Sequence, residues 1–269
     1  GADLILLETQ QDTLNVKAAA IGVRRAMREA GVALPLWVSG TVEPMGTMLA
    51  GQGVEALYVA LEHLDLFAIG LNCATGPEFM TDHLRSLAAM STRFVSVYPN
   101  AGLPDEGGQY AETPESLAFK VRRFVDEGWV NIVGGCCGTT PAHIRALAAV
   151  VAGRPPRVPA AQEPQAVSGI EVFYPTDDNR PVFVGERTNV IGSRRFKELI
   201  VADRFEEAAE VGRAQVRSSA QVLDVCLANP DRDEAADTDR FMAQITRKVK
   251  APLMIDSTDA RVIELALRH

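Results

Sequence analysis

Apolar residues in this chain come in short unbroken runs, each ending in polar or small residues and followed by a stretch with helical spacing. Asp3 to Thr9, Leu36 to Thr41, Leu66 to Cys73, Phe94 to Asn100 and Asn131 to Val133 read as buried strands. Between them the period lengthens. Helices are expected over 12–30, closed by Gly31, then around 47–50 and 54–61, and over 77–90. Another runs from Pro114 to Glu127 and stops at Gly128, and the next covers 141–151. Thr113-Pro114-Glu115 is a helix start: Thr as N-cap, Pro in the first turn, Glu beside the positive end of the dipole.

From Gly153 to about Pro181 the pattern breaks. Pro155, Pro156, Pro159, Pro164, Pro175 and Pro181 interrupt any regular element, and 153–180 is expected to be a semi-rigid linker. Strands then resume at 182–189, 221–226 and 252–257, with helices over 203–219, 234–248 and 259–268. The expected domains are therefore 1–152 and 181–269.

Strict alternation of apolar strands and helices means a parallel sheet covered by helices. Functional-looking residues end almost every strand: Glu8-Thr9, Thr41, Asn72-Cys73, Asn100 and Cys136-Cys137. Active groups at the carboxyl ends of many strands favour an α/β fold of TIM type, a (β/α)8 barrel. No Gly-rich dinucleotide fingerprint follows a strand, which weakens the doubly wound alternative. The second segment is too short to close a barrel and reads as about three βα units of one. The chain begins at Gly1, not Met, and ends at His269 inside a helical stretch, so both ends are expected to be cuts through a longer protein.

A net charge of −8 and a pI near 5.1 argue against a nucleic-acid partner, which usually meets a basic face. No apolar run approaches the length of a membrane span, no signal peptide opens the chain, and a cytoplasmic location is expected. Four cysteines do not make a disulfide scaffold at this length. Three of them do share a setting: Cys73, Cys136 and Cys137 each lie at a strand-to-helix turn near glycine. Buried structural cysteines are one reading. The other is one zinc ion held by three thiolates with a fourth position open, as in catalytic sites. His63 and His83 are candidate fourth ligands, although both lie away from the strand ends. Cys226 reads as structural.

Leu7-Glu8-Thr9 with Asp12-Thr13-Leu14, Gly70-Leu71-Asn72-Cys73, and Gly134-Gly135-Cys136-Cys137-Gly138 together resemble the homocysteine S-methyltransferase domain. Gly185-Glu186-Arg187-Thr188-Asn189, Leu223-Asp224-Val225 and Ile255-Asp256-Ser257 are similar to the start of a folate-binding barrel related to dihydropteroate synthase. In that order they resemble the cobalamin-dependent methionine synthase family. By that comparison the first barrel lacks about three N-terminal strands and the second stops after about three units.

The resemblance implies an enzyme that makes methionine from homocysteine, with methyl passed from 5-methyltetrahydrofolate through cobalamin. Cys73, Cys136 and Cys137 would hold Zn2+ and serve the chemistry. Glu8, Thr9 and Asn72 would bind or orient homocysteine; Glu186, Asn189, Asp224 and Asp256 would line the folate pocket. Cobalamin would be carried by a domain absent from this chain, which is expected to show no turnover by itself. Two alternatives stay open: a zinc-dependent homocysteine methyltransferase using a sulfonium or betaine donor, and a non-catalytic scaffold. Glu186 and Arg187 could equally form an ion pair.

Overall fold

The computed structural model describes all residues, 1–269, in two compact units, Gly1–Pro164 and Gln165–His269. The first has five strands, β1 (Ile5–Gln10), β2 (Leu36–Gly40), β3 (Ala68–Asn72), β4 (Phe94–Tyr98) and β5 (Ile132–Val133). They alternate with helices α1 (Thr13–Ala30), α2 (Val54–Leu61), α3 (Pro77–Met90), α4 (Pro114–Asp126) and α5 (Pro141–Val151). The sheet runs β1-β2-β3-β4-β5 with every neighbouring pair parallel. Strands added in chain order leave no point of reversal, which a doubly wound sheet requires.

The helix boundaries follow from capping chemistry. The Asp12 carboxylate accepts the Leu14 N–H at 2.9 Å and starts α1, and Gly31 at φ 66° ends it. Pro77, Pro114 and Pro141 each occupy the first turn of their helix.

Register sorts the strands into two faces. Val38, Ile69, Leu71, Val95 and Val97 are all but inaccessible and pack with Val16, Leu57, Leu84, Leu117, Val121 and Phe124 of the helices. The alternate positions carry Trp37, Ser39, Gly70, Asn72, Ser96 and Tyr98. That face is buried too, apart from the half-buried Tyr98, and it is joined by hydrogen bonds: Trp37 Nε1 donates to Ser96 Oγ at 3.0 Å, and Ser39 Oγ to Asn72 Oδ1 at 2.6 Å. At Gly70 a Cβ would overlap the Ser96 backbone, so only glycine lets β3 and β4 approach here.

In the second unit β8 (Val184–Gly185), β9 (Val222–Val225) and β10 (Leu253–Ile255) form a parallel sheet in the order β10-β9-β8. Helices α6 (Arg194–Val201), α7 (Phe205–Arg217), α8 (Glu234–Ile245) and α9 (Ala260–Ala266) accompany it. Its core gathers Phe196, Ile200, Ala208, Leu223, Val225, Phe241 and Ile245.

Three expectations change. Residues 47–50 form turns, not a helix; Pro44, Gly46, Gly51 and Gly53 crowd the segment, and Met48 N–H turns to Gln52 O at 2.8 Å. The prolines of 153–180 do not exclude regular structure: β6 (Val167–Ser168) and β7 (Val172–Phe173) make an antiparallel hairpin. Upstream of it, buried Arg157 donates to the carbonyls of Ala88, Ser91 and Arg93, and Glu163 accepts from Tyr58 and Thr92, pinning this stretch to the first unit. Helix α6 is an addition, starting where Ser193 Oγ accepts the Phe196 N–H at 3.3 Å. No helix is long and apolar enough to cross a membrane.

Candidate functional site

Cys73 follows β3, and Cys136-Cys137 follow β5, two strands away across β4. The turns bring their sulfurs together. Cys73 Sγ lies 3.7 Å from Cys137 Sγ, Cys136 Sγ lies 3.9 Å from Cys137 Sγ, and all three are within 4.8 Å of one another. Sulfurs bound at about 2.3 Å to one tetrahedral zinc stand about 3.8 Å apart. Two of the three separations match that spacing, and all are far longer than a disulfide bond. Neither His63 nor His83 joins the cluster.

The backbone is held on every side. Cys73 and Ala74 take left-handed φ of 61° and 52°, and Thr9 at the end of β1 takes 57°. For residues with a Cβ this conformation is strained, and the surrounding bonds hold it. Cys73 N–H donates to Tyr98 O at 3.1 Å, Cys136 N–H to Pro99 O at 3.0 Å, and Cys137 N–H to Asn100 Oδ1 at 3.1 Å. Gly134 has no room for a Cβ because the Tyr98 ring occupies it.

Asn72 is the hub of this arrangement and is fully buried. Its Oδ1 accepts from Ser39 Oγ at 2.6 Å and Thr9 N–H at 3.2 Å. Its Nδ2 donates to Thr9 Oγ1 at 2.8 Å and Cys136 Sγ at 3.7 Å. Two lone pairs and two N–H groups are thus all engaged by the protein. Asn72 positions the ends of β1, β2 and β3 and the Cys136 sulfur. Glu8 is exposed at the end of β1, and its charge, after burial, helps raise the Tyr98 phenol.

Burial pushes the Cys136 thiol up to about 11; the Asn72 hydrogen bond opposes this, and the Cys73 and Cys137 sulfurs add to it. Three thiolates cannot be crowded together in a part-buried turn without compensating charge. A divalent cation reverses that preference and deprotonates its ligands. The donor set and its spacing both match zinc.

Tyr110 was not singled out in the sequence. It sits in the loop between β4 and α4, pairs with Pro104 through an isolated bridge, and lays its ring where a Gly138 side chain would be. Desolvation, then Cys137 with which it hydrogen-bonds, raises its phenol, and Cys73 and Cys136 add to this. The only signal was a lone aromatic residue in a polar, Gly-rich loop. His143 was also missed. Its Nδ1 receives the Thr140 N–H at 3.1 Å, which leaves Nε2–H to donate to Glu112 O at 2.9 Å. It ties the start of α5, just past the cysteines, to the Tyr110 loop.

In the second unit Asp224 is buried near the end of β9, and Asp256 is exposed just past β10. Asn189 Nδ2 donates to Asp224 Oδ2 at 3.0 Å, and Thr188 Oγ1 donates to Asp224 O. Burial raises the Asp224 carboxyl above the usual range; the Asn189 bond opposes it, and the charges of Glu186 and Asp256 add to it. Asn189 thus touches Asp224 directly, and the Glu186 and Asp256 carboxylates act on it through their charge. Glu186 and Arg187 are both exposed and form no ion pair. Cys226 is buried, its N–H and C=O paired with Thr188 and Val190, and it is not part of the sulfur cluster.

Residues 1–151 match the family described as homocysteine S-methyltransferase, and residues 185–269 match pterin binding enzyme. Proteins named methionine synthase from Mycobacterium tuberculosis (strain ATCC 25618 / H37Rv) and Mycobacterium leprae (strain TN) are 42% and 41% identical across 100% of this chain. The chain spans 23% of the length of each. Among solved structures, the metallated form of the homocysteine methyltransferase MmuM from Escherichia coli is 25% identical, with a TM-score of 0.43 over 55% of this chain and 45% of that chain.

Proposed function

Because the chain belongs to the homocysteine S-methyltransferase family through residues 1–151, we propose that it carries the thiol-binding and folate-binding parts of a methionine-forming methyltransferase. Homocysteine is the methyl acceptor and 5-methyltetrahydrofolate the donor, with cobalamin as carrier on a domain outside these residues. Each parallel sheet is an arc of a (β/α)8 barrel, one for each substrate, spanning 1–152 and 181–269. The sequential strand orders support this. The pterin-binding match over 185–269 favours a folate donor over a sulfonium or betaine one.

The carrying observation is the sulfur trio, with separations of 3.7 and 3.9 Å. Cys73, Cys136 and Cys137 would hold zinc and leave one coordination position for the substrate sulfur. What zinc supplies when bound is removal of the proton from a thiol whose free pKa is about 8.5, leaving the sulfur nucleophilic at neutral pH. The remaining work falls to this chain. Glu8, exposed on β1, accepts the homocysteine ammonium. Thr9 is fixed by Asn72 next to it, and Tyr110 covers the sulfurs from the β4–α4 loop. In the second unit the ionised Asp224, steadied by Asn189, accepts hydrogen bonds from pterin N–H groups, with Asp256 and Glu186 beside it.

Zinc content and X-ray absorption at the zinc edge, with and without homocysteine, test this. One zinc with three sulfur neighbours, rising to four on adding homocysteine, is expected. A chain that holds no zinc after dialysis, or whose sulfur count ignores homocysteine, would refute it.

A further inference from the structure

A zinc ion held by Cys73, Cys136 and Cys137 and joined by a substrate thiol gathers four thiolates, three from the chain and one from the substrate. A methyl electrophile that reaches the site can react with any of them. Cys73 and Cys136 are half-buried, whereas Cys137 is the most open of the trio. The Cys136 sulfur already receives the Asn72 Nδ2–H at 3.7 Å. At the Cys137 sulfur the donor is the Tyr110 phenol, which hydrogen-bonds to it.

The loop that carries Tyr110 is fastened to the very residue it covers. Ala101 N–H donates to Cys137 O at 2.9 Å where the loop departs, and Glu112 N–H donates back to Ala101 O at 3.3 Å where it returns. Between these points Asp105 Oδ1 accepts the Gly107 and Gln109 N–H groups at 2.9 and 2.8 Å, and Pro104 pairs with Tyr110 across the turn. Gly138 completes the seat from the other side. It takes φ 77°, and a Cβ there would overlap Cβ and Cγ of Tyr110. Any side chain at 138 would push the ring away from the neighbouring sulfur.

We propose that Tyr110 is a positioning residue for selectivity: its O–H on the Cys137 sulfur, and its ring seated on Gly138, keep this cysteine from taking the methyl group in place of the substrate. This rests on the zinc reading above and adds to it the choice among sulfurs. In the reaction avoided, a lone pair of the Cys137 sulfur forms the S–CH3 bond while the bond from methyl to its carrier breaks, the carrier keeping that pair. The product is an uncharged thioether, and the site has lost an anionic ligand. A donor hydrogen bond stabilises a thiolate and so lowers its nucleophilicity. Asn72 and Tyr110 together place one on each member of the Cys136-Cys137 pair.

Iodomethane, which delivers a methyl group and releases iodide, tests this on the zinc-loaded chain. Tandem mass spectrometry counts the methyl groups on Cys73, Cys136 and Cys137 separately. Tyr110→Phe keeps the ring and removes the O–H; it should speed methylation of Cys137 roughly three- to tenfold and leave Cys73 and Cys136 as they were. Tyr110→Ala removes both and should speed it further. An unchanged rate at Cys137 in Tyr110→Phe overturns the proposal. An equal rise at all three sulfurs overturns it too, since that marks a site loosened as a whole. Zinc uptake by the unaltered chain is measured first, and a chain that takes up none overturns instead the metal reading beneath it.

Discussion

The sulfur cluster of the first unit and the acidic cluster of the second both stand at the carboxyl ends of parallel strands, but they are built differently. Cys73 is reached from a strand with both faces buried and Cys136-Cys137 from the short β5, through turns stitched to each other by backbone bonds and a saturated Asn72. The acids sit on strands of two to four residues, and Asp256 and Glu186 lie open to solvent. The difference follows from what each donor tolerates. Three thiols converge usefully only on a cation and need their geometry fixed beforehand. Carboxylates stay charged in water and need only a steady partner, which Asn189 provides for the buried one.

The sharpest way to break the comparison is at a sulfur. Cys136→Ser should lower zinc affinity by more than about a hundredfold, beyond what loss of a supporting residue costs. Competition with a chelator measures it. Cys226→Ser, at the buried thiol of the second unit, should leave zinc affinity unchanged. If both substitutions act alike, the trio is not a metal site.

Asp224→Asn should act on the other cluster alone. Losing a charged acceptor costs about 1.5–3 kcal/mol, or roughly ten- to a hundredfold in pterin affinity, with zinc content unaffected. Its effect on stability has the opposite sign. Burial raises the folded-state pKa of Asp224, so the folded protein holds this proton more tightly than the unfolded chain does. Ionisation therefore costs stability as pH rises through the folded value, and at neutral pH the Asn variant should unfold at an equal or slightly higher temperature. Pterin binding by the unaltered chain should fall with acidification, at a pH above that of an ordinary carboxylate. A variant that both unfolds earlier and keeps its pterin would contradict this account.

Asn72→Ala comes next. It strands the buried Ser39 Oγ, releases the Thr9 N–H and frees the Cys136 sulfur. About 1–3 kcal/mol of stability should go, with roughly ten- to a hundredfold in zinc affinity. Asn189→Ala, on the more open cluster, should cost the fold less. Urea midpoints of the two variants compare them directly.

How far the sequence led differs between the clusters for the same reason. The bounds of α3 and α5 were legible because proline marks their starts, and the strands of the first unit because their apolar runs are unbroken, whereas the strand expected over 182–189 is only Val184–Gly185. Cysteines at strand ends carried their chemistry openly. The Asn72 network was not visible, since it depends on a register that places Ser39, Gly70 and Ser96 side by side. Nor was Tyr110, in a loop with no period. In the second unit α6 was overlooked because Arg194 and Arg195 mask a helix whose buried positions are only Phe196, Leu199 and Ile200. The hairpin at 167–173 was hidden by the prolines on either side.

The smallest effect tests whether the loop that brings Tyr110 over the sulfurs is itself held by charge. Glu112 closes that loop: its N–H donates to Ala101 O at 3.3 Å, its carbonyl accepts from His143, and its carboxylate meets Lys120 at 2.7 Å. Burial works against its ionisation, but Lys120 and Ser116 outweigh it and hold the carboxyl below its usual value. An acid with a lowered folded-state pKa stabilises above its unfolded value, and the contribution is lost as pH falls through the folded one. Glu112→Gln should therefore cost about 1 kcal/mol at pH 7 and almost nothing near pH 3. Thermal unfolding of both proteins at the two pH values measures this. An equal deficit at both would assign the loop's anchoring to its backbone and His143, and would leave the ion pair with Lys120 without a structural part in the sulfur site.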